Sequence, residues 1–159
     1  MKLYLVRHAH ALAETENPER PLSPKGRELT AEMARWLRKH VAIEVSEVWH
    51  SPLLRSRETA EILIEGLRLK TRLREVAGLQ PEDDPAGNAA VLGKRSAPLM
   101  IVGHEPHLSA LAGMLLGLDP THGTVEFKKG AVLCLERFVP SAPWSLAWLL
   151  SPKFVVVEE

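Results

Sequence analysis

The sequence predicts an α/β fold, a three-layer sandwich whose mixed, mainly parallel central sheet is flanked by helices. Three observations carry that expectation. From Leu3 to Leu116 the chain alternates strand-like and helix-like stretches, as parallel strands joined by helical crossovers do. Residues 3–6 and 98–102 are unbroken apolar runs, the pattern of a sheet covered on both faces. Beyond residue 125 the strand-like stretches lie only a few residues apart, which favours antiparallel pairing.

Each element follows from local chemistry. The run 3–6 ends abruptly in Arg7 and His8, and the polar, proline-bearing loop 13–22 is expected to lie over that end. Ser23-Pro24 supplies an N-cap and a proline at the first helical position, with Leu29, Met33, Trp36 and Leu37 following on one face. Residues 45–49 read as a second strand. Ser51-Pro52 repeats the cap-then-proline signal and opens a helix carrying Leu54, Ala60, Ile62 and Leu63. A short strand over 69–76 leads into the acidic loop 78–87, with a short helix over 86–92. The apolar run 98–102 ends in Gly103-His104, Pro106 opens a further helix, and Gly117 stops it. Strands are predicted over 125–127, 131–138 and 145–150, and the apolar segment 154–157 reads as a packed tail rather than an edge strand.

Composition bounds the function. A chain of 159 residues is about one domain in length and can bury roughly 70% of its unfolded surface, so one domain over 1–159 is expected. The 20 basic and 20 acidic residues balance, so no overall field draws the molecule to nucleic acid or a membrane. Any anion recognition is therefore local. The single cysteine, Cys134, lies in an apolar run and reads as a buried hydrophobe. Neither a signal peptide nor a run of about 20 apolar residues is present, so a soluble, cytoplasmic protein is expected; the sequence leaves its oligomeric state open, with a monomer favoured.

Three strand ends carry similar punctuation. Val6 is followed by Arg7-His8, Val102 by Gly103-His104, and Trp49 by His50-Ser51-Pro52 with Arg55 just beyond. If these strands are parallel, all three clusters lie on one edge of the sheet, where open α/β sheets bind ligands. Counted from Ser51 as N-cap, Arg55 falls at the fourth helical position, near the positive end of the helix dipole. A cation there is disfavoured by about 0.3–1 kcal/mol unless an anion binds alongside; a solvated arginine is the alternative. His104 lies close to another helix start, a common anion-binding position. No metal site is expected, because Arg7 and Arg55 would repel a cation and no carboxylate has matching spacing. His10, His40, His50, His107 and His122 read as surface or loop histidines, with His10 and His50 also placed to line the pocket.

These residues carry a resemblance. The stretch Leu5-Val6-Arg7-His8-Ala9 resembles the Arg-His-Gly signature of the histidine phosphatase superfamily, the phosphoglycerate mutase-like fold, with Ala9 where glycine is usual. Ser51-Pro52-Leu53-Leu54-Arg55 through Thr59-Ala60 resembles the family's second arginine motif, and Val102-Gly103-His104 its second histidine motif. Arg20 to Gly26 and Leu150-Ser151-Pro152 narrow the likeness to the small SixA-type phosphohistidine phosphatases.

The resemblance implies His8 as nucleophile, with Arg7, Arg55 and a protonated His104 around the phosphoryl group. Arg20 and His10 are further substrate-binding candidates. No metal or other cofactor is implied, since fixed cations hold the phosphate. The implied partner is a phosphorylated protein carrying phosphohistidine; the alternative is a small phosphate ester, which would need a proton donor such as Glu82 or Asp83. Those acids also fit a solvated loop in which Asp84 caps the short helix. A non-catalytic phosphate-binding module is a third reading, disfavoured by the presence of a nucleophile.

Overall fold

A computed structural model describes residues 1–155. It contains β1 (Lys2–Arg7), α1 (Pro24–His40), β2 (Glu47–His50), α2 (Leu54–Leu67), β3 (Arg72–Glu75), α3 (Ala86–Gly93), β4 (Leu99–Gly103), α4 (His107–Leu116), β5 (Val132–Glu136) and β6 (Ser145–Leu150), followed by a 3-10 turn at Pro152–Phe154. The strands form one mixed sheet in the order β3-β2-β4-β1-β5-β6. The first four in that order are parallel, while β5 runs antiparallel to β1 and to β6. The α/β sandwich with a mixed, mainly parallel sheet is therefore what the chain forms.

The pleat sorts the core into two layers. Leu3 and Leu5 of β1, Leu99 and Ile101 of β4, and Leu133 and Leu135 of β5 pack with Leu92 of α3 and Leu108 and Leu111 of α4. Their neighbours Tyr4, Val6, Met100, Val102, Val132 and Cys134 face the other way, onto Met33 and Leu37 of α1 and Leu63 of α2. Burial raises the Cys134 thiol to about 11, so it packs as a hydrophobe. Helices α1 and α2 approach closely: a Cβ on Gly66 would lie 2.5 Å from the Ala34 Cβ.

Ser23 caps α1 as expected, its Oγ accepting the Gly26 N–H at 3.0 Å. Gly117 ends α4 at φ 68°, and Asp84 accepts the Ala86 N–H at the start of α3. Two expectations fail. Residues 125–127 form no strand, because their carbonyls serve side chains instead of a ladder: Val125 O accepts from Ser109 Oγ and Phe127 O from Arg7 Nη1. Helix α2 begins at Leu54, with Leu53 as cap, because Ser51 turns inward. Arg55 is thus the second helical residue, not the fourth. Of the apolar tail, Phe154 is exposed and Val155 packs into the α1–α2 layer; residues 156 and 157 lie outside the described residues.

Candidate active site

The parallel strands bring the predicted punctuation to one edge. In register, Arg7 of β1 lies beside Gly103 of β4, and Val102 beside His50 of β2. His8 lies just past the end of β1, its N–H still donating to the Gly103 carbonyl of β4 at 2.9 Å. The next N–H, that of Ala9, donates to Thr59 Oγ1 at 3.0 Å, and that hydroxyl donates to the Arg55 carbonyl at 2.8 Å. Helix α2 therefore catches the chain at Ala9, two residues beyond the end of β1. Glycine is not required at this exit. The non-glycine residues with positive φ among those described are Arg20 and Arg68, so Ala9 sits in an ordinary conformation.

His8 is 7% exposed and His104 1% exposed, with ring centroids 5.0 Å apart. The His8 Nδ1 stands 2.7 Å from the Ala9 carbonyl, so Nδ1 carries the hydrogen and Nε2 keeps its lone pair. Burial lowers His8 to about 4, against the raising effect of the Ala9 carbonyl and with help from Arg55, Arg7 and Arg20. Burial lowers His104 to about 3, with His8, Arg55, His107 and Arg7 adding to it. Both rings are neutral at pH 7. The expectation of a protonated His104 is thus corrected for the phosphate-free protein: burial first, and then the surrounding cations, disfavour a positive charge on the ring.

The donors around His8 are underused. Arg7 Nη1 donates to the Phe127 carbonyl at 2.8 Å, while its Nε is buried without a partner among the described residues. Arg55 Nε and His104 Nδ1 are likewise buried and unpartnered there. Arg55 lies in the first turn of a helix that has no side-chain cap and no acidic residue in that turn. Unsatisfied N–H groups and a positive helix end together favour an anion with several acceptor oxygens, such as phosphate.

Other candidates fall at different distances from this cluster. Arg20 contributes its charge to both His8 and Arg55, from a strained position at φ 50° where its Nε donates to the Leu12 carbonyl at 3.0 Å. His10 is exposed and its Nδ1 pairs with Ser23 Oγ at 2.7 Å, which ties it to the cap of α1. The acidic loop serves itself: Asp83 Oδ2 accepts the Gln80 N–H at 2.9 Å and Glu82 is exposed. The reading of His50 and His107 as surface histidines is wrong, since they are 5% and 2% exposed. His50 is drawn in by its bond to the Ser51 carbonyl at 2.6 Å, and His107 by the packing of α4 against the sheet.

This geometry defines an α/β protein with two histidines and two arginines gathered at the carboxyl edge of its parallel strands, a set of donors suited to an oxyanion. The chain belongs to the histidine phosphatase superfamily, branch 1, whose sequence model matches residues 3–83. It is 30% identical to an uncharacterized protein of Picosynechococcus, over 98% of this chain and 99% of that one. It is 27% identical to the phosphohistidine phosphatase SixA of Escherichia coli, over 96% of this chain and 94% of SixA. In fold it resembles the solved structure of the protein histidine phosphatase SixA complexed with tungstate, with TM-score 0.82 and 24% identity over 98% of this chain and all of that one. The fold is phosphoglycerate mutase-like.

Proposed function

We propose that this chain is a phosphatase that works through a phosphohistidine formed on His8, and that its substrate is phosphohistidine on a protein. The observation that carries the reading is the state of His8: the Ala9 carbonyl holds its Nδ1–H, burial keeps it neutral, and Nε2 is left as a free nucleophile. The lone pair on Nε2 attacks phosphorus, and the leaving imidazole, already protonated from solvent on its other nitrogen, takes the electron pair of the breaking P–N bond and departs neutral. Arg7, Arg55 and His104 donate to the equatorial oxygens as charge shifts. Water then attacks the phosphorus, the bond to Nε2 breaks, and phosphate leaves. Fixed donors hold the transition state in place throughout, so the protein reorganises little.

The protein substrate is supported by the similarity to SixA and by the acid loop. A protonated imidazole leaves readily, whereas an alkoxide demands a general acid. Asp83 and Asp84 are engaged with N–H groups of their own loop and helix, which leaves Glu82 as the one acid of the three without such a bond. The test is to compare hydrolysis of a phosphohistidine peptide and a sugar phosphate by the parent and by Glu82→Gln with Asp83→Asn. The reading expects peptide hydrolysis that survives both substitutions. Hydrolysis of the ester alone, lost on removing the acids, would replace it with a phosphomonoesterase.

A further inference from the structure

Ser51, between β2 and α2, has no solvent exposure, and its Oγ lies 2.5 Å from His104 Nε2. Its position is fixed from two sides. The Ser51 N–H donates to Ser56 Oγ at 3.2 Å, and Ser56 donates to the Val102 carbonyl at 2.6 Å, two residues before His104. Ser51 Oγ also accepts the Leu53 N–H at 3.3 Å. A hydroxyl has one proton to give. With Leu53 on an acceptor position, that proton is free to point at Nε2, and a neutral ring accepting there must carry its own hydrogen on Nδ1. Nδ1 is the buried, unpartnered atom of this ring, and the ring faces His8.

We propose that Ser51 is a positioning residue: its hydroxyl fixes His104 as the Nδ1–H tautomer and aims that N–H at the phosphoryl group beside His8. The inference rests on the phosphatase reading for its purpose, and on the Ser51–His104 contact for its substance. Two neutral histidines then hold the same tautomer by opposite means. An acceptor on Nδ1 leaves His8 a bare Nε2 to attack with, whereas a donor on Nε2 leaves His104 an N–H to offer. One ring becomes nucleophile and its neighbour a phosphate donor, with no charge on either before phosphate arrives. Without the hydroxyl, His104 is free to carry its hydrogen on Nε2, and a lone pair on Nδ1 would then face the anion.

Ring-nitrogen NMR and titration with inorganic phosphate test this on the full chain, in Ser51→Ala and Ser51→Thr. The parent is expected to show His104 protonated on Nδ1 and bare on Nε2. Ser51→Ala should lose that signature, keep that of His8, and bind phosphate about tenfold more weakly or worse, in line with one charge-assisted hydrogen bond. Ser51→Thr, which keeps the hydroxyl, should restore both. The proposal is overturned if Ser51→Ala keeps the His104 tautomer and the parent affinity, or if the threonine variant loses both signatures along with the alanine one. Neither readout needs turnover, so a parent that fails to hydrolyse phosphohistidine would sink the phosphatase reading and leave this one to its own test.

Discussion

The two ends of β1 both gather arginine guanidinium groups, and they treat them differently. At the amino-terminal edge, Arg137 follows β5 and is 6% exposed. It donates to the carbonyls of Pro140, Leu92, Gly93 and Arg95 at 2.6–3.2 Å and stacks over Trp144 at 4.3 Å. Leu92 and Gly93 close α3, so the cation also meets the negative end of a helix. At the carboxyl edge, Arg55 makes no side-chain hydrogen bond among the described residues, and Arg7 makes one. Arg55 sits at the positive end of its helix. The protein supplies a full set of acceptors for Arg137, one for Arg7 and none for the Arg55 side chain among the described residues, the contrast expected between a structural cation and the binding ones proposed above.

Substitutions should separate the two ends. The largest effect is expected for His8→Ala, which should abolish turnover yet leave thermal unfolding close to that of the parent; retained turnover would remove the nucleophile from the account. Next, Arg55→Ala should weaken inorganic phosphate binding by about 10- to 100-fold, as loss of a charge-assisted pair does, with little change in stability. Arg137→Leu should do the reverse. It strands four carbonyls and is expected to cost at least about 2 kcal/mol in denaturant unfolding while leaving phosphate affinity per folded molecule unchanged. If Arg137→Leu weakens phosphate binding as much as Arg55→Ala does, the contrast between the ends is false.

Acid should reach the two ends unequally. An imidazole in the unfolded chain titrates near ~6.5, whereas folded His8 and His104 titrate near 4 and 3. Between those values the unfolded chain binds the extra protons, so stability rises with pH across the window and falls on acidification from about 6.5. His8→Ala should flatten that slope, measured as unfolding midpoint against pH. Phosphate should raise the His104 value, because a bound dianion favours its charged form. The smallest effect concerns the scaffold: Gly66→Ala places a methyl 2.5 Å from Ala34 and should cost about 1–3 kcal/mol through α1–α2 overpacking, with the phosphate site unaffected.

Much of this contrast was legible in the sequence at the carboxyl edge. Arg7, His8, Arg55 and His104 each follow an apolar run, and parallel strands necessarily put such residues on one rim. Strand alternation already demands that the chain leave strand geometry at Arg7 or His8 if both are to reach one phosphate, whereas Thr59 reaching across from α2 to hold the Ala9 N–H was not legible. Nor was Ser51, whose place before Pro52 signals a cap; its inward turn depends on His104, 53 positions away. Residues 125–127 look like a strand because β-branched Val125 and aromatic Phe127 flank Glu126, but the carbonyls of Val125 and Phe127 are claimed by Ser109 and Arg7. Arg137 gave no signal at all. A lone arginine after a strand reads as solvated until α3 presents its carbonyl end.

The central claim is that a phosphoryl group passes through His8 Nε2. Rapid quenching of the parent with a phosphoryl-labelled histidine peptide, followed by mapping of the labelled segment, tests it directly. The account predicts an acid-labile, alkali-stable label on His8 that appears within one turnover and is absent from His8→Ala. An acid-stable label, a label on another residue, or turnover by His8→Ala would contradict it.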